Sequence, residues 1–308
     1  MKILVTGGAG FIGSHLTDAL IKEGHDVTIL DNLSSGVREN INPCAEFVEG
    51  DMRNADLVSL FEKRHFDAVY HEAAQTLVPV SIENPHFDAD ENIMGLLSVL
   101  EAARKTGTKK VIFSSSAAIY GDNPALPLKE SELPAPTSFY GLTKWMTEQY
   151  LSLYHALYGL TYTVLRYSNV YGPRQGAKGE GGVIYIFAKA LAEGKSLTIY
   201  GDGGQTRDFI SVHDVVSANI AALTHGDNSI YNVSTGTEIS LNDLAEEMTR
   251  LSGRTEPVTH GPERPGDIYR SSLNSSAAQE ALHWKPQTDL QKGLQETIRY
   301  FQEKENRK

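Results

Sequence analysis

The sequence predicts an α/β chain, a doubly wound parallel sheet joined to a smaller α/β substrate-binding unit, on three observations. Short apolar runs alternate with amphipathic helical patterns through the first half of the chain. The first run leads through a glycine-rich loop into a helix. Polar residues follow each run, where the carboxyl ends of parallel strands meet ligands.

Composition sets the bounds. The chain has 308 residues, enough for one large domain or two modest ones, with 40% apolar and 22% charged residues. Its net charge of -11, with no long basic run, argues against a nucleic-acid partner. No apolar run reaches membrane-spanning length, and the N-terminus begins on a strand pattern without the features of a signal peptide. The lone Cys44 permits no internal disulfide and reads as structural. With no metal-type partners near it, no metal is expected, and a reducing cytoplasm is the expected location.

Residues 2–6 form the first buried strand. Gly7-Gly8-Ala9-Gly10-Phe11-Ile12-Gly13 follows, and Phe11, Ile12, Leu16, Ala19 and Leu20 mark one face of a helix. Glycines here permit a tight turn and close approach of backbone to a pyrophosphate, and the helix start offers N–H groups and a positive dipole end. A second strand over 26–30 ends at Asp31, placed to grip adenosine ribose hydroxyls. Asp31 would repel a 2'-phosphate, and the nearest following arginine is Arg38, so NAD is favoured over NADP.

Alternation continues. Strands are expected over 47–49, 68–70, 110–113 and 161–166, with helices over 55–64, 92–105 and from 138 to about 158. Asp31, Asp51, Gln75 and Ser114 to Ser116 fall just past strands and so in the ligand zone; Asp51 suits an adenine contact or a helix cap, and His71 reads as a packed structural histidine. Tyr140 and Lys144, at i and i+4, share a helix face. An ammonium beside a phenol favours the phenolate, moving its usual value of about 10 toward neutrality and making a base for an alcohol proton. Beyond residue 176 the pattern changes to a loop, a helix over 183–193, a strand over 197–200, a segment 205–209 leading into a helix over 212–224, a strand over 230–233, and a helix capped by Ser240 and ended at Gly253. Arg207 and Arg264 lie far apart in sequence; if brought to one cleft, their planar forks would bracket a diphosphate.

The glycine loop, the serine run and Tyr140-x-x-x-Lys144, with the stretches Asp-Asn-Leu-Ser-Ser-Gly from Asp31, Leu-Arg-Tyr-Ser-Asn-Val-Tyr-Gly-Pro-Arg-Gln from Leu165, Tyr-Gly-Asp-Gly-Gly-Gln-Thr-Arg-Asp-Phe from Tyr200 and Arg264-Pro-Gly-Asp267, resemble the extended short-chain dehydrogenase/reductase family. The nearest branch is the nucleotide-sugar one, and within it the UDP-glucose 4-epimerases. The resemblance covers nearly the whole chain. It implies a Rossmann-type NAD-binding domain over 1–172 and a mainly UDP-sugar-binding domain over 173–308, the chain crossing back around 209–235.

The resemblance also implies roles. Ser116, Tyr140 and Lys144 would be catalytic. Gly7, Gly10, Phe11, Ile12, Gly13, Asp31, Asn32, Ser35, Gly36, Asp51, Met52, Ala73, Ala74, Gln75, Asn92, Ser114, Tyr140, Lys144 and Tyr167 would hold NAD. Ser116, Tyr140, Asn169, Val183, Thr198, Tyr200, Arg207, Arg264, Asp267 and Ser271 would meet the UDP-sugar, with Ser271 leaving room for an N-acetyl group. The segment 114–120 lacks the acidic residue of sister dehydratases and decarboxylases, which favours 4-epimerisation through a 4-keto sugar. One departure is Glu72, where an apolar residue is usual; either a solvent-facing side chain or altered packing under the cofactor would account for it. The resemblance further implies a homodimer built on residues 92–105 and 140–158. A UDP-glucuronate 4-epimerase, a dehydratase or decarboxylase, and a non-catalytic NAD-binding sensor or scaffold stay as alternatives.

Overall fold

The computed structural model describes residues 1–176, 181–263 and 268–307. In chain order its strands are β1 Lys2–Thr6, β2 Asp26–Asp31, β3 Glu46–Glu49, β4 Ala68–His71, β5 Lys110–Ser116, β6 Thr161–Tyr167, β7 Asn169–Tyr171, β8 Leu197–Tyr200, β9 Thr206–Ser211, β10 Ser229–Val233, β11 Glu238–Ser240, β12 Val258–Gly261 and β13 Arg270–Ser271. Among the described residues, β3, β2, β1, β4, β5, β6 and β10 lie side by side in that order, all parallel. Strand order reverses between β1 and β4, which opens a crevice at their carboxyl ends.

Side-chain alternation splits the large sheet's burial between two layers. Ile3 and Val5 face the helices Phe11–Lys22 and Val212–Thr224, while Leu4 faces the helices Leu57–Arg64, Gly95–Thr106 and Phe139–Tyr158. A third core gathers Phe209 of β9 with Phe187, Leu244 and Ile298 from the helices Val183–Ala192, Leu241–Ser252 and Leu290–Glu305. In this second lobe β9 pairs with β11, β13 and β7, and β8 pairs with β12.

Several parts of the chain depart from the sequence expectation. The helix expected over 92–105 is preceded by helices Val78–Glu83 and Pro85–Ala89 and a π-helical turn Asp90–Met94 before Gly95–Thr106 begins. Pro85 cannot continue the first helix and suits the start of the second, whose cap is the Asn84 side chain. Residues 206–211, expected to lead into a helix, form β9; the segment pairs with strands distant in sequence, a signal local periodicity does not carry. The helix Leu290–Glu305 is absent from the sequence reading, although Asp289 caps it and Leu294, Ile298 and Phe301 recur at helical spacing. Cys44 is exposed, so it is not a packing residue.

Candidate active site

The crevice at the β1–β4 reversal is lined by Thr6, Gly7, Gly10, Phe11, Ile12 and Gly13, by Asp31 at the end of β2 with Asn32 and Ser35 beyond it, and by Asp51 and Met52 after β3. Glu72, Ala73 and Ala74 after β4, Ser114 and Ser115 of β5, Tyr140, Lys144 and Tyr167 also line it, with Leu30, Ser34, Gly50, Thr76 and Glu91. Gly7 takes a positive φ of 71°, and a Cβ there would lie 2.7 Å from the Ala73 amide nitrogen. A Cβ on Gly13 would sit on the Gly7 carbonyl oxygen. Gly10 caps the helix Phe11–Lys22 without a side chain, which leaves the first-turn N–H groups and the dipole end for an anion.

Acidic residues occupy one end. Asp31 accepts from the backbone N–H groups of Ala9 (3.0 Å) and Leu33 (2.8 Å). Burial pushes its carboxyl up, and those two donors pull it back. Gly36 packs on this carboxylate, where a Cβ would be 2.9 Å from Oδ1. Asp51 accepts from Arg53 Nε (2.9 Å) and Nη2 (2.6 Å) and from Asn32 Nδ2 (3.0 Å), and Arg53 above all holds it well below the usual carboxylate range. Arg53 also pairs with Asp90 and Glu91, a knot that the sequence reading does not contain. The neighbouring helix cap is Asp56, not Asp51.

At the other end stands the Tyr140–Lys144 pair. Ser138 caps the helix Phe139–Tyr158 by accepting from Gly141 N at 3.1 Å, so Tyr140 lies in the first turn. Gly141 lets this turn press on the turn Ala117–Tyr120 after β5, since a Cβ there would be 2.5 Å from the Ala118 carbonyl oxygen. Lys144 is buried; its Nζ donates to the Ser114 carbonyl at 2.8 Å and lies 4.8 Å from the Phe113 ring centre and 5.8 Å from that of Tyr140. Ser116 ends β5 beside Tyr167 on β6; its Oγ accepts from Ala118 N at 3.2 Å, and it is not among the crevice-lining residues. Ser115 donates to Glu148 (2.6 Å), which forms a buried ion pair with Arg166 (2.6 Å) and locks the strand end. The Tyr167 hydroxyl meets Ser114 Oγ (2.8 Å) and Asn219 Nδ2 (2.7 Å), and burial pushes its phenol well above the ordinary value, so it stays neutral. His71 is a packed histidine: it bonds Thr6 Oγ1 at 3.0 Å, stacks on Phe113, and burial drives its imidazole down to about 3.

Three residues after β4 stand differently from their sequence reading. Glu72 does not face solvent; it lines the crevice, and its Oε1 is buried with no hydrogen-bond partner among the described residues. Burial raises its carboxyl to about 7, against the pull of the Ser114 hydroxyl and the Lys144 charge. Gln75 and Asn92 lie one layer behind the crevice. Asn92 accepts from Gln75 N (2.8 Å) and donates to Thr143 Oγ1 (3.1 Å), while Gln75 and Thr143 both donate to Asp88 (2.5 and 2.9 Å). This buried knot ties residues 73–77 to the helix that carries Tyr140. The π-helical turn holds Asn92 within it, a placement that 3.6-residue periodicity does not reveal.

In the second lobe, Asn169 of β7 is paired beside Phe209, and Ser271 of β13 beside Arg207, on successive same-face positions of β9. Arg207 donates to the carbonyls of Thr206 (2.7 Å) and Tyr269 (3.3 Å). Val183 opens the helix Val183–Ala192 and packs on the same core as Phe209. Thr198 and Tyr200 are exposed on β8 in the separate two-stranded sheet. Arg264 and Asp267 lie outside the described residues. Asp208, missed in the sequence reading, is buried and accepts from Thr235 N and Oγ1, Gly236 N and Leu273 N, so it ties β9 to the two neighbouring loops.

An acid at one end, an anion-receptive turn in the middle and a Tyr–Lys pair at the other fit the adenosine ribose, pyrophosphate and nicotinamide of NAD in that order. Comparison with known proteins agrees. The model of the NAD dependent epimerase/dehydratase family matches residues 3–234. A UDP-glucose 4-epimerase of Mycolicibacterium smegmatis is 41% identical over 311 residues, covering 99% of each chain. The structure of a Thermotoga maritima UDP-glucose 4-epimerase with UDP-glucose superposes with a TM-score of 0.97 at 44% identity, covering 99% of each chain. That of a Methanobrevibacter ruminantium UDP-N-acetylglucosamine 4-epimerase in complex with UDP-N-acetylmuramic acid gives 0.94 at 41% identity, covering 98% of each.

Proposed function

The chain belongs to the NAD-dependent epimerase/dehydratase family, and from that membership we propose that it is an isomerase that inverts carbon 4 of a UDP-hexose. UDP-glucose and UDP-galactose are its substrates on this reading. The observation that carries it is the seating of Tyr140 and buried Lys144 against the end of β5, across the crevice from the Asp31 end.

NAD, which Gly7, Gly10, Gly13 and Asp31 would help to hold, would supply the reversible hydride chemistry at carbon 4. The chain's own groups handle the proton and the positions. Tyr140 takes the proton of the 4-hydroxyl and gives it back. Lys144, fixed by the Ser114 carbonyl, keeps a positive charge beside that phenol. Ser116, whose Oγ already accepts from Ala118 N, has its O–H left to steady the sugar oxygen. Arg207 clamps the diphosphate while the keto sugar turns over. Glycines 7, 10 and 13 admit the pyrophosphate, and Asp31 takes the ribose hydroxyls.

Two further features belong to this reading. Ser271, small and paired beside Arg207, leaves space for a substituent on carbon 2, so UDP-GlcNAc and UDP-GalNAc are accepted as well. The helix Phe139–Tyr158 exposes Met146, Leu153, Leu157 and Tyr158, a face suited to the same helix of a second copy, and the working form is a cytoplasmic homodimer. Among the described residues no helix is long and apolar enough to cross a membrane.

The test is incubation of the purified protein, without added cofactor, with UDP-glucose, UDP-GlcNAc and UDP-glucuronate, resolving the 4-epimers. UDP-galactose is expected from the first and UDP-GalNAc from the second. Inversion of UDP-glucuronate alone, or of none, would overturn the reading.

A further inference from the structure

The reaction above leaves Glu72 without a role, yet its position is closely fixed. It is the first residue past β4, and its N–H donates to the Thr6 carbonyl at 3.2 Å, which extends the β1–β4 pairing to it. The side chain lines the crevice with Ser114, Lys144, Tyr140 and Tyr167, the end opposite Asp31. Since the acid after β2 receives the adenosine half of a dinucleotide, the nicotinamide half falls at the Glu72 end.

The groups around the carboxyl compensate its charge only in part: the Ser114 hydroxyl and the Lys144 ammonium favour the ionised form, and burial outweighs them. Its Oε1 has no hydrogen-bond partner among the described residues. Lys144, from the helix Phe139–Tyr158, is the near cation, but its Nζ already donates to the Ser114 carbonyl. From the same helix Tyr140 lines the crevice with it. Tyr167 of β6 and Tyr70 of β4 are buried phenols held neutral, and His71 of β4 is a buried neutral imidazole. Burial has brought the Glu72 carboxyl to about 7, so a modest change in nearby charge moves its proton at neutral pH. A nicotinamide ring makes such a change, being cationic when oxidised and neutral when reduced.

We propose that Glu72 is ionised against the oxidised, cationic nicotinamide and takes up one proton when the ring is reduced. This rests on the NAD half of the reading above. The balance is simple: the ring gains a hydride and loses its positive charge, and a Glu72 carboxylate oxygen gains a proton from solvent. Reoxidation reverses both. Glu72 is thus a positioning residue for charge, keeping the crevice's total the same through both halves of a reversible hydride shuttle, and it makes the poise of the bound cofactor depend on pH.

The protein as purified, with its bound cofactor, is equilibrated with redox mediators of known potential over about pH 5.5–8.5, a span centred on the Glu72 value. The absorbance of reduced nicotinamide is read. No sugar is present, so the result stands apart from the epimerase assignment. In the wild type the reduced-to-oxidised ratio at fixed potential should rise with falling pH more steeply than free NAD does. The excess approaches tenfold per pH unit, about 30 mV for a two-electron couple. In Glu72→Gln the excess should vanish, with the reduced form favoured above neutral pH as in the protonated wild type. Equal slopes in both proteins would overturn the proposal. Should Glu72→Gln not fold or not retain the cofactor, the wild type alone decides: its redox-difference infrared spectrum near neutral pH should gain a protonated-carboxyl band on reduction, and the absence of that band overturns the proposal. A preparation that neither carries nicotinamide nor binds it when NAD is added would overturn the NAD reading itself, and this proposal with it.

Discussion

The rim of the large sheet and the small sheet built on β9 present their polar side chains by different means. At the rim each group sits within a residue or two of a strand end or helix cap: Asp31 ends β2, Ser116 ends β5, and Tyr140 lies in the first turn past the Ser138 cap. Local structure alone fixes them. In the small sheet, Asn169, Arg207 and Ser271 come together only because β7, β9 and β13 pair across long sequence separations. The first arrangement leaves a spacing in the sequence and the second does not. On the proposed reading, the rim does the chemistry shared by every substrate, and the small sheet holds and selects the nucleotide-sugar.

That division can be broken most directly at Tyr140. Tyr140→Phe removes the proton acceptor and leaves the ring's packing. Turnover should fall about 10²–10⁴-fold, the usual worth of a positioned acid–base group, and by the same factor for every sugar that the enzyme accepts. Cofactor content, read from the absorbance of the denatured supernatant, should be unchanged. A loss that differs between sugars would mean that Tyr140 also selects, and an unchanged rate would remove it from the mechanism.

Gly13→Ala probes the rim's backbone. The added Cβ would sit on the Gly7 carbonyl oxygen, and the strand-to-helix turn has no free space for it to give way. A cost of about 1–3 kcal/mol is expected for such overpacking, felt as a lower Tm and as a loss of bound cofactor of roughly ten- to a hundredfold in affinity. Equal retention of cofactor in variant and wild type would show that the turn does not need to close as tightly as the structure has it.

Legibility follows the same divide. The parallel sheet, the glycine turn, Asp31 and the Tyr140–Lys144 pair are visible in the sequence because periodicity and short spacings encode them. Glu72 is not: alternation after β4 does not say whether the next side chain meets solvent or a crevice, and only the approach of Ser114 and Lys144 from two other elements buries it. Gln75 and Asn92 fall near the crevice in sequence terms, yet the π-helical turn and Asp88 draw both into a knot behind it. Strand β9 and its buried hub Asp208 depend wholly on partners from elsewhere in the chain. The helix Leu290–Glu305 is a different case, since its cap and its apolar spacing are both present in the sequence.

The smallest effect expected is the one that sharpens the small sheet's part. Ser271 is paired beside Arg207, and the Arg207 guanidinium is held by the carbonyls of Thr206 and Tyr269, which a change of the Ser271 side chain leaves in place. Ser271→Tyr keeps the strand pairing and, on the proposed reading, fills the space left for the carbon 2 substituent. If that space receives the carbon 2 substituent, kcat/KM for UDP-GlcNAc should fall about tenfold or more relative to UDP-glucose, the scale on which pocket shape discriminates. UDP-glucose turnover should change little, because Tyr140 and Lys144 are untouched. An equal fall for both sugars would mean that the new ring disturbs Arg207 and with it the diphosphate. No fall for the acetylated sugar would place the selecting contact elsewhere, and the small sheet would then hold the nucleotide without choosing the sugar.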